Sequence, residues 1–189
     1  MAHPLDEQAD PRQVATVVEA ALSASPVSGT VVVVSIDGRS GAGKTVLAGG
    51  VGAALRCPVV HLDDIFPGWD GLAEGVALVT EQVLEPIARG EPAAYRRWDW
   101  MRSRPGRTVP VEATTHLVVE GCGALVSPAA QFAAVRVWID APEPVRKVRA
   151  LARDGSTYAP HWDRWAAQED VAYAGGGARA RAHLLLEGG

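Results

Sequence analysis

A glycine-rich segment between residues 38 and 45 carries the strongest chemical signal in the sequence. Its residues, Gly38-Arg39-Ser40-Gly41-Ala42-Gly43-Lys44-Thr45, match the pattern G-x-x-x-x-G-K-[ST] at every fixed position. Glycines allow backbone N–H groups to wrap around a phosphate, and the N-terminus of a following helix adds the positive end of its dipole. Lys44 would reach the β- and γ-phosphates, and the Thr45 hydroxyl would ligate Mg²⁺. The motif therefore predicts a loop for the magnesium complex of ATP or GTP, since it contacts phosphates and not the base.

Acidic residues close two other apolar segments. Asp63 and Asp64 follow one of them, and Glu120 ends the other. A carboxylate near the γ-phosphate can orient and deprotonate an acceptor hydroxyl, and we assign this role to Asp63. In the alternative, Asp63 caps the following turn and the adjacent Asp64 is the base. An acid that ends a buried strand needs a partner. For Glu120 that partner is Mg²⁺ or its waters, or alternatively a neighbouring arginine.

Residues 95–107 combine five arginines, two tryptophans and an aspartate. Aromatic rings can stack on a base, a carboxylate can hold ribose hydroxyls, and arginines can hold a phosphate. The predicted acceptor contacts are therefore Trp98, Asp99, Trp100, Arg102 and Arg104. Two alternatives remain open: the tryptophans could be core residues on one side of an edge strand, and the arginines could be a solvated face.

The elements that would position these residues follow from the hydrophobic pattern. Short apolar runs predict strands at 30–36, 58–62, 116–120, 134–139 and 183–187. Helical periodicity predicts helices that start at Pro11 and cover 45–56, 72–89 with a break or kink at Pro86, 143–153 and 161–173. Residues 95–110 show no clear period. Strands that alternate with helices predict an α/β fold with a parallel sheet, in which ligands bind at the carboxyl ends of the strands.

Composition and charge exclude several classes of function. The chain has 189 residues and a net charge of −4, which argues against a general nucleic-acid binder. No apolar run approaches the roughly 18 residues of a membrane span, and the acidic first ten residues do not resemble a signal peptide. Cys57 and Cys122 suggest neither a disulfide framework nor a zinc site, so we expect reduced cysteines and a cytoplasmic protein. The five histidines have no metal-ligand spacing.

Over most of residues 30–187 the chain resembles the uridine kinase–phosphoribulokinase group of P-loop kinases, in a short and divergent form. The stretch 62–66 is similar to the family's Q-D-S-F-Y, which makes Asp63 the counterpart of its catalytic base. Residues 97–100 resemble its Y-D-F step, which implies that Asp99 grips ribose hydroxyls. Residues 118–121 match its strand ending in E-G, which implies that Glu120 lies near magnesium.

Residues 140–154 track the family pattern D-x-D-x-D-x-R-x-x-R-R-x-x-R-D, although Pro142 and Pro144 replace two of its acids. The resemblance implies lid or phosphate-side roles for Arg146, Arg149 and Arg153, of which we assign the last two to nucleotide binding. It also implies a P-loop NTPase three-layer sandwich with about five parallel strands. The expected organisation is an arm and helix (1–29) and one kinase-like domain (30–189), with an acceptor-side segment (95–110) and a lid (146–162).

The resulting expectation is a kinase that transfers phosphate from Mg-ATP to a hydroxyl of a small metabolite, a nucleoside above all. The arginines between Arg96 and Arg107 favour a close alternative, in which the acceptor is a nucleoside monophosphate or another phosphorylated metabolite. A nucleotide-dependent ATPase or switch with a protein partner is a different class that the sequence leaves open.

Overall fold

The β-branched runs pair as a parallel sheet in the computed structural model, which describes residues 8–27, 29–112 and 115–188. Its strands are, in chain order, β1 (Val32–Asp37), β2 (Val59–His61), β3 (Ala93–Asp99), β4 (Arg104–Val111), β5 (His116–Glu120), β6 (Val135–Asp140) and β7 (Leu184–Glu187). Five strands form one sheet in the order β2-β5-β1-β6-β7, and each neighbouring pair is parallel. The expected five-stranded parallel sheet is confirmed. Most of the predicted N-terminal arm, residues 1–7, lies outside the described residues.

Helices cover both faces of this sheet. They are α1 (Pro11–Ser23), α2 (Lys44–Leu55), α3 (Leu72–Val79), α4 (Glu85–Ala88), α5 (Glu143–Tyr158), α6 (Trp162–Ala172) and α7 (Gly177–Ala180). On one face Val17 of α1 shares a hydrophobic core with Val34, and on the other face Val76 and Trp165 share a core with Val33. The successive residues Val33 and Val34 thus point to opposite sides, which confirms three layers. Among the residues that the structure describes, none of the helices has the length and apolar composition needed to cross a bilayer.

The helix predicted over 72–89 changes its geometry ahead of Pro86. After α3 ends at Val79, residues 80–84 form a π-helical turn, and α4 then begins at Glu85. Proline has no N–H to bond the carbonyl four residues back, and its ring crowds that turn. A wider turn accommodates both effects, so the break expected at Pro86 is a bulge in a helix that continues through it.

The segment rich in arginine and tryptophan forms an antiparallel hairpin of β3 and β4, a two-stranded sheet of its own. Its pairing register shifts between Arg96 and Trp98. Such an irregularity breaks the simple alternation of side chains along a strand. This explains why residues 95–110 show no clear period in the sequence.

The carboxyl ends of β1, β2 and β5 meet at one edge of the sheet. Glu120 of β5 pairs in register with Ile36 of β1 and with His61 of β2. The glycine-rich residues 38–45, here called the phosphate loop, follow β1, and a 3₁₀ turn over Leu62–Asp64 follows β2. The chemically distinctive segments therefore open onto the same side of the sheet, as the strand-end rule predicts.

Candidate active site

The phosphate loop is shaped by glycines at positions where a side chain would collide with neighbouring backbone. A Cβ at Gly38 would meet the carbonyl of Ile139, and one at Gly41 would meet the backbone of Arg146. Gly43, with φ of 102°, is the N-cap of α2. The loop therefore leads directly into a helix N-terminus, where backbone N–H groups and the helix dipole favour an anion.

Lys44, the first residue of α2, is almost fully buried beside the loop. Its Nζ donates a hydrogen bond of 3.0 Å to the carbonyl of Arg39. Burial disfavours the charge of Lys44, but its ionisable neighbours, Cys122 first and then Glu120 and Glu169, raise its pKa overall. Cys122 itself is a thiol at neutral pH, because burial raises the pKa of Cys122 well above its usual value. Lys44 is therefore a fixed positive charge next to the loop.

Thr45 and Glu120 share one corner of the site. The Thr45 hydroxyl donates to Glu120 Oε1 at 3.1 Å, and His61 Nδ1 lies 2.6 Å from the same oxygen. The hydrogen bond to Glu120 raises the pKa of His61. Among the described residues, the partners of this buried carboxylate are thus a hydroxyl and an imidazole, and no arginine forms an ion pair with it. His61, to which we assigned no role from the sequence, belongs to the site.

A magnesium ion fits this corner through Thr45 and Glu120. Within residues 8–27, 29–112 and 115–188, no group of three or more His, Cys, Asp or Glu side chains could hold a metal ion by itself. Magnesium needs no such group, since it commonly uses one or two protein oxygens together with waters and substrate phosphates. A hydroxyl and a buried carboxylate beside a phosphate loop match that donor set.

The neighbouring aspartates Asp63 and Asp64 have different surroundings. Asp64 Oδ1 accepts a 2.8 Å hydrogen bond from Arg97 Nε, and Tyr95 donates to its second oxygen at 3.4 Å. Asp63 lines the same cavity as Asp64 and is the more exposed of the two, although the surrounding protein displaces part of the bulk water around it. This loss of hydration and the charge of Glu120 raise the pKa of Asp63. Of the two, Asp63 is the better placed to take a proton.

The phosphate loop and Asp63 line one cavity of about 640 Å³. Aromatic side chains form much of the remaining wall: Phe66, Trp69, Trp100, Tyr158 and Trp165. The ring of Trp69 stacks on Tyr158 with a centroid distance of 5.3 Å, and the Trp100 indole N–H donates to the Asp63 carbonyl at 2.8 Å. The cavity thus combines the phosphate loop with an aromatic surface.

The arginines of α5 have distinct positions. Arg153 lines the cavity, and its guanidinium holds the carboxylate of Asp154 at 2.7 to 3.0 Å. Arg146 is buried, and its guanidinium donates to the carbonyls of Ala141 and Ser40, so it anchors the phosphate loop from behind. Arg149 is half-buried and lies outside the cavity lining.

The hairpin brings only part of the predicted acceptor set to the cavity. Trp100 lines it, whereas Trp98, Asp99, Arg102 and Arg104 lie outside the lining. The Asp99 carboxylate is engaged within the hairpin turn, where it accepts from the Arg102 backbone N–H at 3.0 Å and from its guanidinium at 2.8 Å. Arg97, which the sequence did not single out, occupies the cavity wall instead. The register shift ahead of Trp98 determines which side chains face inward.

A buried aspartate at the end of β1, Asp37, ties the site together. Its carboxylate accepts hydrogen bonds from the N–H groups of Gly38, Gly123 and Leu125 and from the Tyr173 hydroxyl, all between 2.7 and 3.0 Å. Burial raises the pKa of Asp37, while these donors oppose the rise. It was missed from the sequence, although an acid that ends a buried strand is the same signal that drew attention to β5.

Two solved structures share this architecture. One is a possible uridine kinase from Bacillus stearothermophilus, 19% identical, with a TM-score of 0.67 over 93% of this chain and 97% of the other. This chain has the fold of P-loop kinases. The second is a "putative fructose transport system kinase" from Silicibacter sp. TM1040, 17% identical, with a TM-score of 0.54 over 91% of this chain and 98% of that one. No family model and no curated protein matches the sequence. The assignment of the P-loop kinase fold thus rests on structural similarity and not on sequence similarity.

Proposed function

We propose that this protein is a kinase that transfers a phosphoryl group from a magnesium nucleotide to a hydroxyl of a small, uncharged metabolite such as a nucleoside. One observation carries the proposal: Lys44 and Thr45 of the phosphate loop line the same cavity as Asp63 and an aromatic wall. Phosphoryl transfer requires a donor site, a base and an acceptor site within reach of one another. Both neighbours of the same fold carry kinase names, which agrees with this proposal.

At the donor end, the backbone N–H groups of the loop and the Nζ of Lys44 would bind the β- and γ-phosphates of ATP or GTP. Thr45 and Glu120 would hold Mg²⁺, which when bound supplies charge neutralisation on those phosphates. Arg153 lies close enough to Asp63 and Glu120 for its charge to act on both. It would exchange its bond to Asp154 for one to a phosphate oxygen.

At the centre of the cavity, Asp63 would accept the proton of the attacking hydroxyl. A base must be free to receive a proton and must be sufficiently basic. Asp64 is held by Arg97 and Tyr95, whereas Asp63 faces the cavity and has a raised pKa. From the sequence, either aspartate could be the base, and these surroundings favour Asp63.

At the acceptor end, charge pairing favours an uncharged molecule. Apart from Lys44 at the donor end, the arginines and lysines that line the cavity are Arg97 and Arg153. Each is paired with an aspartate, Asp64 and Asp154 respectively. A phosphorylated acceptor would have to break one of these pairs to gain a cation, while a neutral molecule with a flat or apolar face would pack on the aromatic wall.

A kinase of phosphorylated metabolites is the second candidate. The observation that favours it is the number of exposed arginines on the hairpin, including Arg96, Arg104 and Arg107. They could bind a phosphate only if the hairpin moved toward the cavity, since Arg104 lies outside its lining.

The deciding experiment measures ADP or GDP release from the magnesium nucleotide with a panel of nucleosides, nucleoside monophosphates and sugars. We expect release that depends on a neutral hydroxyl-bearing acceptor and disappears in Lys44→Ala. Release only with phosphorylated acceptors would favour the second candidate. Release that needs no acceptor and increases with a protein partner would replace the kinase by an ATPase or switch.

A further inference from the structure

Helix α6 contacts the phosphate loop through a carboxylate that the proposed chemistry does not use. Glu169 has only 1% of its surface exposed. Its Oε1 accepts a 2.7 Å hydrogen bond from the backbone N–H of Ser40 and a 3.2 Å contact from the Cys122 thiol. Its Oε2 lies 3.6 Å from Arg39. A buried carboxylate is stable only with such partners, so these bonds hold α6 against the outer side of the loop.

The preceding residue, Gln168, contacts the opposite end of the cavity. Its Nε2 donates to the Trp69 carbonyl at 2.6 Å, and its Oε1 accepts from the Leu72 N–H at 3.2 Å. These bonds fix the segment 66–72, here called the acceptor segment, which carries Phe66 and Trp69 of the aromatic wall. Successive residues on a helix point about 100° apart, which is why neighbours can hold two different parts of the site.

Two further contacts join the same helix to the acceptor segment. Arg164 forms an ion pair with Asp70, and the ring of Trp165 packs edge-on against Phe66 at a centroid distance of 4.9 Å. The acceptor segment is thus attached to α6 at several points. A helix of 11 residues moves as a unit when its buried contacts shift.

We propose that Gln168 and Glu169 are positioning residues that couple the two ends of the cavity. When a nucleotide fixes the phosphate loop, Glu169 restrains α6, and Gln168 in turn restrains the acceptor segment. Nucleotide binding thereby orders the aromatic wall before the acceptor enters. The inference rests on the nucleotide binding of the proposed function, and it requires a measured coupling as well as the chain of contacts.

Hydrogen–deuterium exchange of the full chain, with and without Mg-ADP or Mg-GDP, tests the coupling without a known acceptor. In the wild type we expect the nucleotide to slow exchange in residues 38–47 and also in residues 66–75. In Gln168→Ala the slowing should persist at 38–47 and disappear at 66–75. Asp163→Ala, an exposed residue on the same helix, is the matched control and should behave as the wild type.

Glu169 is tested by nucleotide affinity in a graded pair of variants. Glu169→Ala should weaken Mg-ADP binding about tenfold, the effect of losing one hydrogen bond to a charged group. Glu169→Gln keeps an oxygen for the Ser40 N–H and should recover most of the affinity. A role in folding alone would lower the melting temperature of both variants without this graded rescue. If Glu169→Ala does not fold, the exchange pattern of Gln168→Ala and the nucleotide affinity of Glu169→Gln decide whether the coupling holds.

The outcomes separate the inference from the proposed function. Slowing at 38–47 without slowing at 66–75 in the wild type would overturn the coupling and leave nucleotide binding intact. A Gln168→Ala protein that still slows at 66–75 would overturn it equally, since the acceptor segment would then respond without the bonds of Gln168. If neither nucleotide changes exchange at 38–47, nucleotide binding itself is wrong and the coupling falls with it.

Discussion

The Thr45 hydroxyl donates a 3.1 Å hydrogen bond to the Glu120 carboxylate, although 75 residues separate them in the chain. The parallel register explains the contact, because Glu120 ends β5 beside the strand that leads into the phosphate loop. Both oxygens belong to the corner that we propose for magnesium, and His61 shares the same carboxylate oxygen. Strands β2 and β5 thus contribute His61 and Glu120 directly, and β1 contributes Thr45 through the phosphate loop.

Glu120→Gln should increase the Mg²⁺ concentration required for half-maximal phosphoryl transfer about tenfold or more. The amide keeps the size of the side chain but removes the charge that would attract the cation. A magnesium titration of the transfer rate checks this. An unchanged magnesium requirement would restrict Glu120 to its bonds with Thr45 and His61.

Lys44→Ala should weaken binding of the magnesium nucleotide about tenfold to a hundredfold. A charge-assisted hydrogen bond contributes about 1.5–3 kcal/mol, and one decade corresponds to about 1.4 kcal/mol. Isothermal calorimetry gives the dissociation constants. The control is Lys147→Ala, since Lys147 is the other lysine of the chain and its side chain is about half exposed. Equal losses in both variants would contradict a specific role for Lys44.

Asp63→Asn should reduce the rate of phosphoryl transfer by about a hundredfold or more while nucleotide affinity stays within a few-fold, as expected for the loss of a positioned base. Asp64→Asn is the matched control. It weakens the pair with Arg97 and should mainly increase the acceptor KM. If the Asp64 variant is inactive and the Asp63 variant active, the base is the other aspartate.

The pH dependence of transfer should reflect the raised pKa of Asp63. A base works when it is ionised, so activity is lost as pH falls through its pKa. Because that pKa is raised by lost hydration and by Glu120, the acid limb of kcat/KM should lie above the ordinary range of aspartate. The residual activity of Asp63→Asn should lack this limb. A wild-type limb that persists unchanged in the variant would assign it to another group.

Trp100→Ala should increase the acceptor KM about tenfold, because it removes an aromatic wall that buries the acceptor, while nucleotide affinity changes little.

Asp99→Ala separates the sequence-based from the structure-based assignment. Its carboxylate is bonded to Arg102 in the hairpin turn, so we expect a lower melting temperature and an unchanged KM. An increased KM in Asp99→Ala would restore the ribose-gripping role inferred from resemblance.

Local sequence determined the parts of this protein whose chemistry depends on contiguous residues. The phosphate loop could be read from eight residues, because a phosphate is bound by successive backbone N–H groups at the start of a helix. The five strands of the parallel sheet could be read from short apolar runs, four of them with β-branched residues, because such a sheet buries both faces of its strands. The meeting of Thr45 with Glu120 followed from the rule that parallel strands end at one edge.

Tertiary structure decided which of several similar side chains face the cavity. Asp63 and Asp64 are adjacent in sequence, and only the packing of the hairpin shows that Arg97 and Tyr95 hold the second. Likewise, Asp99 ends β3 with its carboxylate bonded to Arg102, whereas the next residue, Trp100, lines the cavity. Side-chain direction in irregular backbone depends on the neighbouring elements, and no periodic pattern encodes it.

The contact of Glu169 with the Ser40 N–H spans 129 residues and has no sequence motif. From sequence alone Glu169 was indistinguishable from a residue that packs beside tryptophans on one helical face. Burial and hydrogen bonding depend on which surfaces the fold brings together, and the order of parallel strands and crossover helices determines those surfaces. A loop that binds a phosphate through its backbone can therefore be predicted from a short stretch of sequence. The partners of a buried charged side chain depend instead on the topology of the fold.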